Sequence, residues 1–352
     1  MLFSLALPQR GSAQAQQPSV PAGNAPQEAP AQGKRPPRII VRPELVIVPV
    51  TVKDGSGRLV GDIRQDEFRI LCDGVDQKIA SFSSEPVPLS TVVLLDSDLP
   101  DRAVNQVQKS LAAIAAGFGP SDEVAIVTFA QYPTTVADFS TNNDRLFTQL
   151  KRLELGSHPT QEIVSPTTAG ASINGKPQPT STGIAPHGSK RSVSTKTLHD
   201  ALYSAGEMLQ DRGRDRRKII FLISDGSNSS HNVHTLDETL HFLLSADVSV
   251  YSISITRAVP IGRSLVQHGQ TQLEQYAVDT GGDTFFGAKQ VDLERLYSDL
   301  TEEARNQYTL TFSPQGIHTD QDYHDIEVRV RRPGLHIRAR GGFYQSAIAV
   351  GR

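Results

Sequence analysis

Apolar residues recur along this chain with two different periods. ELVIVPVTVKD (44–54) is β-branched and extended, and the DGSGR that follows it is a turn. EFRILCDGVDQKIASF (67–82) places two short apolar runs around Asp73-Gly74, a strong short hairpin signal. Three further strand-like runs close the chain: QYTLTFSP, HDIEVRVRR and LHIRARGGFY. In the last of them Leu335, Ile337 and Ala339 alternate with His336, Arg338 and Arg340, the period of a half-buried strand with its arginines in water. Pro49 removes a ladder donor and predicts an edge position or a bulge for the first strand.

The middle of the chain reads differently. VVLLD (92–96), EVAIVTFA (123–130), KIIFLIS (218–224), SVYSISI (249–255) and GDTFFGA (282–288) are short apolar runs. Between them lie stretches of helical period: 103–116, with Val104, Val107, Leu111 and Ile114 on one face, then LHDALYSAGEML, TLDETLHFLLSA and VDLERLYSDLTEEA. Runs apolar on both faces and separated by helices predict an α/β fold, a doubly wound and mostly parallel sheet covered on both sides. The β-rich flanks predict a small β domain built from both ends of the chain. Residues 41–88 supply its N-terminal segment and 306–346 its C-terminal one, with the α/β domain at 89–305. Ligands of such sheets sit at the carboxyl ends of the strands, where this chain carries Asp96-Ser97-Asp98 and Ser224-Asp225-Gly226.

Composition adds bounds. The 352 residues carry a formal charge of −3 with 21% charged residues, so no global basic excess faces a phosphate backbone, and nucleic acid is not an expected partner. After the N-terminus no apolar run is long enough to span a bilayer. Residues 1–15 end in the small-x-small Ala13-Gln14-Ala15 and read as the truncated tail of a signal peptide, which places the protein in the periplasm or outside the cell. The charged n-region is missing, so either the true start lies upstream or the pattern is coincidence. Residues 16–40 are a flexible linker by composition, and 156–194, rich in Gly, Pro, Ser and Thr, read as a mobile insertion. The lone Cys72 allows no internal disulfide and reads as a small buried hydrophobe.

Taken together in order, VTVKDGSGRLVGDIRQDEFRILCDGVDQKIASF, VVLLDSD, LHDALYSAGEML, KIIFLISDGSN and the closing YTLTFSP…HDIEVRVRRPGLHIRARGGFY resemble the von Willebrand factor type A superfamily. The resemblance covers about 40 to 345 and is closest to a group of secreted, von Willebrand factor A-related bacterial proteins abundant in Acidobacteria. It implies about six strands with one antiparallel edge and, at the top of the sheet, a metal-ion-dependent adhesion site. That site combines a D-x-S-x-S loop, a Thr and a further Asp around Mg²⁺ or Ca²⁺, leaving one position for an acidic group of the partner. Asp96 matches the first Asp, but Asp98 and Pro100 stand at the two Ser positions. Lys196 stands at the Thr position, flanked by Thr195 and Thr197, and Asp225 matches the last Asp. If Lys196 points inward it pairs with the carboxylates in place of the cation; if outward, Thr195 or Thr197 turns in and three carboxylates favour a divalent ion.

The resemblance implies a non-enzymatic module binding a protein or other envelope or extracellular ligand. One enzyme reading uses the same residues: VVLLDSDLP is similar to the D-x-D opening of haloacid-dehalogenase phosphatases, with Asp96 as nucleophile and Asp98 as acid/base. A purely structural scaffold is a third reading. Asp98 or Asp101 could also be N-caps of the helix that follows. His231, His234 and His241 have no recognised zinc spacing and read as solvent-facing. The basic run Arg212 to Lys218 reads as complementing a helix C-terminus.

Overall fold

The computed structural model describes residues 45–156, 195–255, 268–286, 290–316 and 322–344, all within one compact unit. The expected signal-peptide tail, the linker and the insertion beyond Gly156 lie outside these residues.

Four strands open the chain: β1 (Val46–Lys53), β2 (Phe68–Cys72), β3 (Val75–Gln77) and β4 (Ile79–Ser83). The β2–β3 hairpin turns at Asp73 (φ 48°) and Gly74 (φ 77°), two left-handed residues in succession, as a tight hairpin of right-handed twist requires. The α/β layer follows. Its strands are β5 (Leu89–Asp96), β6 (Glu123–Phe129), β7 (Pro133–Ser140), β8 (Arg217–Ser224), β9 (Val248–Ser254) and β10 (Thr284–Phe286). Its helices are α1 (Asp101–Ile114), α2 (Asn143–Arg152), α3 (Leu198–Gln210), α4 (Leu236–Ser245), α5 (His268–Thr280) and α6 (Gln290–Arg305). The chain returns through β11 (Tyr308–Phe312), β12 (Tyr323–Val330), β13 (His336–Ala339) and β14 (Gly342–Tyr344).

The central sheet runs β10-β9-β8-β5-β6-β7, parallel except for the edge strand β7. Alternate residues of β5 serve opposite faces. Val93 and Leu95 pack with Val107, Leu111 and Ile114 of α1 and Tyr297 of α6, while Val92 and Leu94 pack with Ala201, Leu202, Leu240 and Tyr276 on the other side. That doubly covered sheet is the α/β architecture expected from the unbroken apolar runs. Gly206 lets α3 and α4 approach, since a Cβ there would stand 2.8 Å from Leu243 and 2.9 Å from Phe242.

The two ends of the chain build the β layer together. One sheet runs β13-β1-β11-β4 and the other β14-β12-β2-β3, so each interleaves N-terminal and C-terminal strands. Val48, Val50, Ile70, Leu310 and Phe312 are fully buried between them, with Phe68, Phe82 and Tyr308 clustered at ring separations of 5.1–5.8 Å.

Four expectations change. β1 is an interior strand, but β13 pairs with it only from Val50 to Lys53, so Pro49 lies where one flank of β1 is open. LHIRARGGFY is two strands in different sheets, and Arg340 at their junction is only 5% exposed. It donates to the carbonyls of Gly342 and Leu244 and pairs with Asp247 at 2.7 Å, which is why it departs from the wet face shared by Arg329 and Arg338. Neither Asp98 nor Asp101 caps α1, whose N-cap is Pro100 without a side-chain bond. β7 and α5 lacked a periodic signal of their own.

Charged side chains tie the β layer to the α/β layer. Lys53 of β1 pairs with Asp283 (2.9 Å) and Glu303, and Arg338 reaches Asp283 at 3.0 Å. Arg217 donates to the carbonyls of Ala304, Arg305 and Gln307 and to Thr309 Oγ1, and Lys218 to those of Gln210 and Ala246. The basic run thus satisfies orphan carbonyls at the ends of α3, α4 and α6, as its sequence suggested. No helix among the described residues is long and apolar enough to cross a membrane.

A chain ending at Arg305 loses β11 and β13 on the two sides of β1 and β12 beside β2. Limited proteolysis should then cleave 45–83 at least tenfold faster than in the full chain, while unchanged resistance would show that the N-terminal strands hold without their partners.

Candidate functional site

The carboxyl ends of β5 and β8 are adjacent, since Leu95 pairs with Ile223, and β6 flanks β5 on the other side. β5 feeds α1 on one face, while α3 begins over the other, so the chain parts to the two faces above β5, at the point where the strand order reverses and where ligands of such sheets bind. Asp96 and Ser224 end their strands there and are fully buried. Lys196, in the segment just before α3, reaches into the same place with a side chain 3% exposed.

The Lys196 ammonium donates to Asp96 Oδ2 at 2.9 Å and to Asp225 Oδ1 at 3.0 Å. Ser224 Oγ donates to the same Asp96 Oδ2 at 2.8 Å, and the backbone N–H of Asp98 donates to Asp96 Oδ1 at 3.0 Å. Asp225 Oδ1 also accepts from Ser227 N at 2.8 Å. Both oxygens of Asp96 are therefore engaged. Burial pushes the Asp96 carboxyl up to about 6, with Lys196 pulling against it and Asp225 adding to it. Burial also works against the charge on Lys196, yet the carboxylates of Asp96 and Asp225 outweigh it and hold the ammonium above the ordinary lysine value.

The side chains of the other matched positions do not join this cluster. Asp98 and Thr195 are exposed. Thr197 is buried, but its hydroxyl donates to the carbonyl of Gln131 at 2.9 Å. Of the six residues matched to the adhesion site, the structure brings together Asp96, Asp225 and Lys196 and leaves Asp98, Thr195 and Thr197 apart. A hard divalent ion needs several oxygen donors converging on one point. Here the oxygens that face the centre of the cluster are spent on an ammonium, and no threonine hydroxyl turns inward, so the donor set does not fit Mg²⁺ or Ca²⁺.

A second network shapes the rim. The first amides of α3 are satisfied from the loop after β8: Leu198 N donates to Asn228 Oδ1, and His199 N and Asp200 N donate to Asn232 Oδ1. His199 is held on both ring nitrogens, by Asn228 at Nε2 and Tyr276 at Nδ1, each at 2.8 Å, and burial pushes its pKa down. Asp200 accepts the amides of Val233 and His234, and the His234 ring stacks on Tyr203 with centroids 3.8 Å apart. Asn228 and Asn232 carried no signal in the sequence, where asparagines after a strand read as turn residues; a capping partner some thirty positions away has no local pattern. Two large apolar side chains stand out at this rim, Tyr132 at 72% and Val233 at 83% exposure. His231 and His241 are exposed, as their spacing implied, while His234 is half-buried.

No protein-family model matches the chain, and no curated protein matches it. Among solved structures, similar ones include a von Willebrand factor type A protein from Catenulispora acidiphila, 9% identical over 86% of this chain and 73% of that one, with a TM-score of 0.44. Another is the proximal thread matrix protein 1 from the mussel byssus with a zinc-occupied MIDAS motif, 13% identical over 66% of this chain, TM-score 0.43. The match spans 49% of the mussel protein's length. BatB from Bacteroides thetaiotaomicron is 11% identical over 61% of this chain and 98% of its own, TM-score 0.38. The strand order β10-β9-β8-β5-β6-β7, with its single antiparallel edge strand, is itself the arrangement that the sequence resemblance implied.

Two outcomes follow from the buried ammonium. Lys196→Met leaves the carboxylates of Asp96 and Asp225 uncompensated, a loss of about 3–5 kcal/mol for a broken buried pair. The folded-state pKa of Asp96 already lies above its unfolded value and rises further in the variant. Its contribution is therefore fully present below about pH 4 and lost as pH rises through 6 and beyond. Urea unfolding should show the larger loss at pH 8 and a smaller one at pH 5; the reverse order would mean that Lys196 does not neutralise Asp96. Calorimetric titration of the wild type with Mg²⁺ or Ca²⁺ should give no site tighter than about millimolar, and Lys196→Thr should strengthen binding. Micromolar binding by the wild type, abolished by Asp96→Ala, would restore the metal-dependent reading.

Proposed function

We propose that this chain is a non-enzymatic binding module of the von Willebrand factor A type, exported to the periplasm or cell exterior, that recognises a protein ligand through the loops at the top of the sheet without a divalent ion. The observation that carries the reading is the ammonium of Lys196 between Asp96 and Asp225. The charge that an adhesion site normally borrows from solution is here part of the chain. With that centre closed, recognition falls to the rim, where Tyr132 and Val233 expose apolar surface beside the α3 N-terminus. An exposed tyrosine on such a rim has the character of an interface anchor, and Val233 adds apolar surface that excludes water around a contact.

The phosphatase reading needs Asp96 to attack a phosphoryl group. A carboxylate with no exposed surface and both oxygens hydrogen-bonded offers no path to a substrate, and Asp98 meets it through its backbone N–H, with its side chain exposed. The same burial favours a structural role for Asp96 over a catalytic one.

The immobilised full chain should retain the same partner from an envelope extract with added Mg²⁺, with added Ca²⁺ and with neither. Tyr132→Ser combined with Val233→Ser should weaken retention about tenfold, a loss of about 1.4 kcal/mol or more for the pair. Retention that requires Mg²⁺, or that ignores the double substitution, would count against the proposal. Hydrolysis of p-nitrophenyl phosphate that is lost in Asp96→Asn would overturn the non-enzymatic reading.

A further inference from the structure

Away from the top of the central sheet, the β layer gathers three side chains with ligand chemistry. Cys72 ends β2, Asp73 begins the hairpin turn, and His324 lies in β12, two residues before Ile326, the cross-strand partner of Cys72. Residues two apart on a strand share a face, so His324 and Cys72 look into the same interior. One ligand atom from each of Cys72, Asp73 and His324 lies within 4.8 Å of the others. Cys72 and His324 are fully buried, and the Asp73 side chain is 15% exposed.

The arrangement is held from several directions. Asp73 N donates to the Asp325 carbonyl at 3.1 Å, and Asp325 N returns a bond to Asp73 Oδ1 at 2.9 Å. His324 Nδ1 donates to Asp73 Oδ2 at 2.7 Å. That leaves the Cys72 thiol, fully buried, making no hydrogen bond to a described residue and aimed at the same pair.

We propose that Cys72, Asp73 and His324 form a structural Zn²⁺ site that staples the β2–β3 turn to β12. The donor set decides the metal. Thiolate sulfur, imidazole nitrogen and a single carboxylate suit Zn²⁺, whereas Mg²⁺ and Ca²⁺ take oxygen alone. Charge agrees, since one thiolate and one carboxylate neutralise a divalent ion and leave no net charge in a buried place. Uptake is ligand exchange: the thiol proton passes to solvent, Zn²⁺ sheds water, and nothing is oxidised or reduced. Three protein ligands leave a fourth position, which lies on the side where Asp73 meets solvent and takes a water. The staple joins the two ends of the chain, the service a disulfide performs elsewhere and that a single cysteine cannot.

The test uses the purified full chain, stripped of metal and then given Co²⁺ or Zn²⁺. A thiolate-to-cobalt charge-transfer band should appear with one equivalent of Co²⁺ and be displaced by Zn²⁺, and Zn²⁺ should raise the Tm. Cys72→Ser and Cys72→Ala should lose both the band and the Zn²⁺-dependent rise, and His324→Gln should weaken Zn²⁺ binding at least tenfold. A wild type with no such band, or a Zn²⁺-dependent Tm rise that survives in Cys72→Ala, overturns the site and leaves Asp73 and His324 as a hydrogen-bonded pair only. The wild-type spectrum decides the matter even if a variant fails to fold.

Discussion

The fold depends on β1 finding β11 and β13. These strands lie at opposite ends of the sequence, and their pairing from Val46 to Lys53 turns two marginal β segments into one layer with a shared apolar interior. Lys53 at the end of β1 then reaches Asp283 and Glu303, so the strand that closes the β layer also anchors it to β10 and α6. Glu303 is buried enough that its carboxyl is pushed above the usual range against the pull of Lys53, which makes this pairing a demanding one to satisfy in any other arrangement.

At the opposite end of the sheet the chain solves a different electrostatic problem. Two carboxylates at adjacent strand ends repel, and a fold that places them there requires a cation. Lys196 supplies one covalently. An internal cation is present at every ionic composition, with its orientation set by α3, whereas a bound ion couples the site to the medium. The asparagines that cap α3 contribute to the same end, because fixing the first turn of α3 also fixes the segment from which Lys196 extends.

Much of this was legible in the sequence. The unbroken apolar runs VVLLD and KIIFLIS belong to strands buried on both faces, and Asp73-Gly74 declared its turn because few other residue pairs accept two positive φ angles. The strand-end acids Asp96 and Asp225 were visible from position alone. What could not be read was anything set by distant partners. Arg340 looked like its neighbours Arg338 and His336 until the break between β13 and β14 turned it toward Asp247 and Leu244. Pro49 looked like an edge residue because the sequence does not say that β13 is shorter than β1. Thr195 and Thr197 looked available as ligands, since nothing local shows that the Gln131 carbonyl takes the Thr197 hydroxyl.

The interleaving of the two chain ends also governs the order of events during synthesis. A ribosome releases β1 and β2 well before their partners, and their edges stay unpaired on that side until residues 308 to 344 have emerged. The α/β layer, whose strands and helices alternate along the chain, can form meanwhile from contacts closer in sequence. The nascent protein thus carries an apolar, β-branched segment, VIVPVTV, with open edges until those partners follow it. Pro49, placed where β13 leaves β1 uncovered, interrupts that edge and limits its value as a template for another chain.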